Sequence, residues 1–415
     1  MTRSVSLERA FGDGASVLDD TTFRLLVLAN INGAIGAVVV SPVLEGLAGP
    51  YGIDGASLGL MMSAFTAPSI VGIPLAGAIA DRYGRKPVLI ASLLLFGAGG
   101  SALAFTTNYT VVLALRGVQG VGYSGIIPVV ITSIGDVYAD AEETAAHGLR
   151  FSSSALSQAV FPAFAGALAA LSWRFPFLLF AVAFPIAGLV YVGLEEPSST
   201  PRSDGGRPAT RDTGAYVRAV LSAVARPRLG AVLLALGVPA FVWITFLTYN
   251  SFFVVEVLGH SPLYASALLT VLSLVNATTA SQAGRVTAAT DGAFRPLVAA
   301  NVALAVGLGL FALAPSIPVA VLAVGCVGVG FGLSFSLLRN VVTDRVDAEL
   351  RGGVVGIGES IIRLSNSVGP LVTGAAIALL SPGRGFVASL RWTVLVVAVA
   401  TGVGGVAVIY VAWRD

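Results

Sequence analysis

Gly77-Ala78-Ile79-Ala80-Asp81-Arg82-Tyr83-Gly84-Arg85-Lys86-Pro87 is the stretch on which the reading of this chain turns. It is a short charged segment between two long apolar runs, in a protein of which only 11% of residues are charged, and it holds the only lysine, Lys86. Gly84 permits a tight reversal that a β-carbon would strain. Asp81 lies near the end of one predicted helix, where it can pair with the arginines or cap the start of the next. Arg82, Arg85 and Lys86 would hold such a loop at the cytoplasmic surface. An ordinary positively charged inside loop would carry the same charges.

Working outward, the chain has 415 residues, 56% of them hydrophobic, a mean hydropathy of +0.88 and 49 glycines. Soluble domains rarely reach such apolarity, so the composition implies a polytopic membrane protein. Division into spans of about 20 residues gives roughly twelve helices. The expected spans are 24–47, 56–80, 87–106, 109–135, 147–171, 174–194, 229–256, 262–284, 296–315, 317–340, 352–380 and 387–412. Runs of Leu, Val, Ala and Gly without period-two alternation argue against an outer-membrane barrel.

Charge distribution sets the expected orientation. With the amino terminus inside, Arg174, Arg384 and Arg391 fall outside and Arg116 and Arg363 fall within spans, leaving 19 of the 24 Lys and Arg residues in cytoplasmic loops or tails. The positive-inside rule therefore predicts that both termini are cytoplasmic, and a multi-pass protein of the plasma membrane is expected. The apolar run after the acidic tail is too long for a cleavable signal, so it is expected to remain as the first helix. One cysteine, Cys326, excludes an intramolecular disulfide, and two histidines make a structural metal site improbable. No Walker loop supports ATP-driven pumping. The basic residues do not gather on one element as nucleic-acid binding would require. Neither a cofactor nor a metal is expected, and the chain is expected to act as a monomer.

Two spans joined by Gly-x-x-x-Asp-Arg-x-Gly-Arg-Lys resemble the loop between helices 2 and 3 of the major facilitator superfamily of secondary transporters. Gly77, Asp81, Arg82, Gly84, Arg85 and Lys86 fill the family's positions. The resemblance implies an all-α polytopic fold of twelve transmembrane helices in two pseudo-symmetric six-helix bundles. It also implies that this loop acts as a cytoplasmic latch, broken and remade as the halves rock. Leu115-Arg116-Gly117-Val118-Gln119-Gly120-Val121-Gly122 is similar to the family's helix-4 motif, with Arg116, Gln119, Gly120 and Gly122 in matching places. In that family such an arginine is a buried cation linked to substrate or proton coupling. An arginine near the outer interface that snorkels to headgroups is the alternative.

A polar linker from 195 to 228, rich in Ser, Gly, Pro and Arg, divides six spans from six, with a short helix expected around Tyr216 to Val224. The expected parts are a cytoplasmic tail 1–21, bundles 22–194 and 229–412, and a tail 413–415. The halves match without gaps at a separation of 208: Gly117, Gly120 and Gly122 with Gly325, Gly328 and Gly330; Asp136 with Asp344; Gly148 with Gly356; and Ser157, Val160, Pro162 and Gly166 with Ser365, Val368, Pro370 and Gly374. Parallel repeats of this kind bind substrate near the midplane. The second half loses the charged loop, reading Ala283-Gly284-Arg285-Val286 and then Asp291-Gly292-Ala293-Phe294-Arg295-Pro296.

Charges inside helices cost about 2.5–3.5 kcal/mol on insertion scales, so each asks for a reason. Glu359 and Arg363 are four apart and share a helical face. Glu359 can be a titratable carboxylate carrying a coupling proton, or half of a structural ion pair. Asn30 and Asn32 in the first span, and Trp243, Tyr249 and Asn250 in the seventh, are candidate cavity groups, since helices 1 and 7 line the cavity in the family. Interhelical hydrogen bonds are the alternative for the amides. In the fifth span Pro162 and Gly166 match the kink of the family's antiporters, with Phe161 where that branch has glycine. Gly369-Pro370 and Gly374 repeat the pattern in the eleventh. The motif set resembles the drug:proton antiporter branch, which implies proton-coupled efflux of small amphipathic molecules. Proton-coupled uptake of a sugar or organic anion, with Arg116 receiving a carboxylate, is the second reading. A non-transporting receptor or scaffold is the third.

Overall fold

The computed structural model describes residues 17–55, 57–196, 213–290 and 292–414. Most of the expected amino-terminal tail, the linker residues 197–212, and Asp291 lie outside the described residues. Among the described residues the regular structure is helical. Eleven helices are long and apolar enough to cross a membrane: Leu58–Tyr83 (α2), Arg85–Phe105 (α3), Tyr109–Val137 (α4), Asp140–Leu171 (α5), Phe175–Gly193 (α6), Pro227–Val257 (α7), Pro262–Ser281 (α8), Phe294–Leu313 (α9), Ile317–Asp344 (α10), Ala348–Arg384 (α11) and Phe386–Trp413 (α12). Only helices satisfy their own backbone along an apolar run in lipid, which is why these runs fold this way.

The first helix departs from the expected span. It covers Thr21–Ile35 (α1) rather than 24–47, and short turns at Ser41–Val43 and Glu45–Leu47 follow it. Pro42 lacks a donor and Gly46 disfavours continued helix, although the stretch stays apolar, and a single helical turn resumes at Ala48–Tyr51. Asp20 caps α1 by accepting from the Thr22 N–H at 2.9 Å, and its other oxygen accepts from the Tyr138 hydroxyl. Burial and Asp20 push that phenol well above its ordinary range, so it stays a donor. Asn108 caps α4 in the same way, its side chain accepting from Thr110 and Val111. The linker helix expected around Tyr216 to Val224 is observed over Thr213–Val224, and a Cβ on Gly353 would meet its Tyr216 hydroxyl and Val220, so that helix lies against α11.

Packing divides the chain into two compact units, Met1–Val43 with Ala64–Asp204, and Leu44–Ser63 with Gly205–Asp415. Within each unit, small residues let backbones approach. A Cβ on Gly99 would lie 2.6 Å from Gln119 N and 2.7 Å from Leu115 O, and one on Gly307 would lie 2.8 Å from both Val327 N and Ala323 O. Gly122 meets Ser92 and Phe96, and Gly330 meets Ala300 and Leu304. Every one of these partners is displaced by the same 208 residues. The α3–α4 contact of the first unit is thus rebuilt as the α9–α10 contact of the second, in the close-approach mode of membrane helices.

In the second unit α7 and α12 each contain a single π turn, Phe253–Val257 and Thr401–Gly405. A π turn disturbs the regular carbonyl ladder. Asn301 of α9 answers it in α12, donating to the Thr401 carbonyl at 2.7 Å.

Candidate functional site

In the first unit the charged turn closes on residues far from it in sequence. Gly84 takes φ +100°, a conformation that L side chains rarely adopt. Arg85 then reaches two carboxylates, Asp81 at 2.5 Å and Asp136 at the end of α4 at 3.0 Å. Its side chain is only 16% exposed. Glu196, just past α6, accepts from the Arg85 N–H and, at 3.1 Å, from the Lys86 N–H, capping the start of α3. The Lys86 ammonium sits 5.7 Å from the Tyr191 ring centroid. Arg82 is exposed and stacks on Tyr83 instead of joining Asp81. Gly77 faces open space, and nothing in the structure explains a glycine there. Reading by sequence found Asp81 and Arg85 but not Asp136, Glu196 or Tyr191. The acid shared by Asp136 and Asp344 in the repeat was the one available hint of Asp136.

Arg116 is fully buried in α4. Its Nη1 donates to Gln119 Oε1 at 2.6 Å and to the Gly36 carbonyl at 3.2 Å, and its guanidinium lies 4.4 Å from the Phe65 ring centroid. A snorkelling arginine would expose its head, and this one does not. Gly120 admits the neighbouring helix, because a Cβ there would run into the Phe65 carbonyl. The geometry describes an internally satisfied cation that ties α1, α2 and α4 together.

The amides of the expected cavity are occupied by packing. Asn30 donates to Ser154 Oγ at 2.7 Å and to the Arg150 carbonyl at 3.2 Å, joining α1 to α5. Asn32 donates within its own helix to Leu28 O at 3.2 Å. Asn250 of α7 donates to Ala265 O of α8 at 2.9 Å. The Oδ1 atoms of Asn32 and Asn250 are buried without a hydrogen-bond partner. In α5 the helix runs unbroken through buried Pro162, with Phe161 packed on Phe164 at 6.5 Å and Gly166 buried. Gly369 lets α11 approach Ile244 of α7, and the helix continues through Pro370 past buried Gly374.

The second unit holds the arrangement with the most chemistry. Glu359 is the twelfth residue of α11, about 16 Å along it at 1.5 Å per residue. Its Oε1 accepts from Arg339 of α10 at 2.5 Å, and its Oε2 lies 3.9 Å from Arg363. The expected Glu359–Arg363 pair is therefore the longer arm of a three-residue cluster whose closer partner had not been anticipated. Arg339, Glu359, Thr343 and Leu236 border a cavity of about 170 Å³. Behind Arg339 runs an aromatic row. Its guanidinium is 5.8 Å from Phe335, Phe335 is 4.5 Å from Phe331, and Phe331 stacks on Trp243 at 4.6 Å. Phe331, Phe335 and Arg339 recur every four residues, so they share one face of α10. Among the described residues, no cluster of His, Cys, Asp and Glu is suited to a metal ion.

Comparison with known proteins decides the family. The model of the Major Facilitator Superfamily matches residues 26–370. This chain belongs to the Major Facilitator Superfamily. It is 28% identical to the chloramphenicol resistance protein of Streptomyces lividans over 361 residues, which cover 85% of this chain and 88% of that one. It is 31% identical to the bacillibactin exporter of Bacillus subtilis (strain 168) over 150 residues, 34% of this chain and only 37% of the exporter. Among solved structures it resembles a bacterial homolog of the human lysosomal transporter Spinster in an inward-facing, unoccupied conformation. The TM-score is 0.80 at 18% identity, covering 95% of this chain and 96% of that one. That likeness establishes the shared fold. The all-α polytopic architecture expected from the turn at Gly84 is the one observed.

Proposed function

We propose that this superfamily member is a secondary active transporter that works by alternating access and exports small amphipathic molecules in exchange for protons. The observation that carries the reading is the row Trp243, Phe331, Phe335, Arg339 and Glu359 in the second unit. Stacked rings suit the apolar body of a substrate. Beside them, Glu359 is, among the described residues, the one acid that lies more than two turns from a helix end, which suits a group that exchanges a proton for cargo. The names of the relatives in Streptomyces lividans and Bacillus subtilis support export as the direction. Uptake of an organic anion would need Arg116 free to receive a carboxylate, and its Nη1 already serves Gln119 and Gly36. Both termini are placed in the cytoplasm on the strength of the charge bias, in a plasma membrane, with the protein acting as a monomer. The loop around Asp81, Arg85 and Asp136 then serves as the cytoplasmic latch.

The test is reconstitution of the full chain in proteoliposomes with an imposed pH gradient, and flux measured for a panel of aromatic amphipaths, sugars and organic anions. Uphill movement of an aromatic compound, abolished by a protonophore, is the expected result. Gradient-independent flux, or uphill movement confined to sugars, would sink the reading.

A further inference from the structure

The charge pattern leaves Arg174, Arg384 and Arg391 on the side away from the termini, where basic residues are scarce. Two of these three, Arg384 and Arg391, line a single open cavity of about 720 Å³ in the second unit, at the turn between α11 and α12. Glu256 from the end of α7 and Trp392 complete its polar and aromatic walls, and Leu313, Phe386 and Leu395 supply apolar ones. The Arg384 guanidinium lies 5.6 Å from the Trp392 ring centroid. The Nε of Arg391 is buried with no hydrogen-bond partner among the described residues. Such a donor is costly to leave unmet. Glu256 is the one carboxylate among the residues lining this cavity, which suits a cation beside it.

What lies beside the cavity identifies the occupant. From Trp392, the side chains of Val396, Val399 and Val403 follow one face of α12 and are 61%, 65% and 70% exposed. Leu313, 61% exposed, stands at the cavity wall. An apolar stripe of this kind, beginning at a tryptophan, is where acyl chains lie while a headgroup sits at the interface. We propose that this cavity binds a phospholipid whose headgroup carries both a phosphate and a primary ammonium, as phosphoethanolamine does. Arg391 and Arg384 take the phosphate, since guanidinium groups match its oxygens. Glu256 takes the ammonium. The chains run along Val396, Val399 and Val403.

The test is native mass spectrometry of the detergent-solubilised full chain with phosphatidylethanolamine, phosphatidylcholine and phosphatidylglycerol, which needs no transport readout. The parent should retain phosphatidylethanolamine about tenfold better than the other two. Arg391→Gln should weaken all three, and Arg384→Gln should do the same should the first variant fold poorly. Glu256→Gln should lower phosphatidylethanolamine to the level of phosphatidylglycerol and leave the latter unchanged. Equal retention of the three lipids by the parent would overturn the assignment, as would variants that bind like the parent. Protection from heat by free glycerophosphoethanolamine equal to that by the lipid would instead assign the site to a soluble zwitterion and overturn the lipid reading.

Discussion

Replacing Glu359 by Gln is the most informative perturbation, because stability and coupling predict different outcomes. The side chains of Arg339 and Glu359 are 53% and 38% exposed, and that of Arg363 is 21% exposed. Ion pairs with that much exposure contribute about 1 kcal/mol or less. A charge at the centre of a lipid-facing helix costs about 2.5–3.5 kcal/mol on insertion scales, a cost lessened here by the pairing of Glu359 with Arg363 and with Arg339. Pairs this weak have little value as struts, which supports the proposed coupling role of Glu359 beside its cavity. The expected cost of Glu359→Gln is therefore about 1 kcal/mol, a shift in melting temperature of a few degrees at most. Gradient-driven flux should fall by more than about tenfold, a barrier change of roughly 1.4 kcal/mol. Substrate exchange at zero gradient should persist, because exchange moves no net proton. The assay pairs uphill flux with counterflow in the same proteoliposomes. If the cluster is structural after all, Glu359→Gln will be unstable, and adding Arg339→Met or Arg363→Met will restore folding and transport together. A double variant that transports uphill as well as the parent would refute the coupling argument.

Further outcomes follow from the first unit. Asp81→Asn and Asp136→Asn each remove one of the two carboxylates on Arg85, and each should depress transport while leaving membrane insertion intact; normal turnover would reduce the loop to a topogenic signal. Arg116→Lys keeps the charge but loses the planar fork, so it should melt below the parent by at least about 2 kcal/mol's worth and restore flux only in part. Unchanged melting in both Arg116→Lys and Arg116→Ala would contradict the buried network. Gly117→Ala enters open space and should be neutral or mildly stabilising, whereas Gly122→Ala meets the α3 backbone and should cost about 1–3 kcal/mol, both read by thermal melting in detergent.

Apolarity located the helices but not all of their ends. Ala37 to Leu47 is apolar enough to extend the first span, yet Pro42 and Gly46 break its helix, because hydropathy reports what suits lipid and not what can donate hydrogen bonds. In α10 and α11 the error ran the other way. Asp344, Glu349 and Arg384 lie in helical turns beyond the apolar run, since a helix does not have to stop at the bilayer surface. The turn residues Asp81, Gly84 and Arg85 were legible because they act within one local motif. Their partners Asp136 and Glu196 were not, nor was Arg339 opposite Glu359, because those pairings are made by helix packing between distant positions.

The offset of 208 residues also separates what the two units share from what they do not. Gly99 of α3 and Gly307 of α9 meet equivalent backbone atoms of α4 and α10, and so do Gly122 and Gly330 in the opposite direction, so the helix spacing is set twice by equivalent glycines. The charges are not repeated. Arg116 has Val324 as its counterpart, buried and apolar, and Glu359 has Phe151. Arg85 stands opposite Ala293, so the second unit has no guanidinium where the first builds its double ion pair. A scaffold duplicated in its close contacts and divergent in its charges can give each unit a separate task without altering how its helices pack. Substitutions at Gly122 and Gly330 should then damage stability alike. Removal of charge should not behave symmetrically: loss of Arg85 should act through the turn, and loss of Glu359 through coupling.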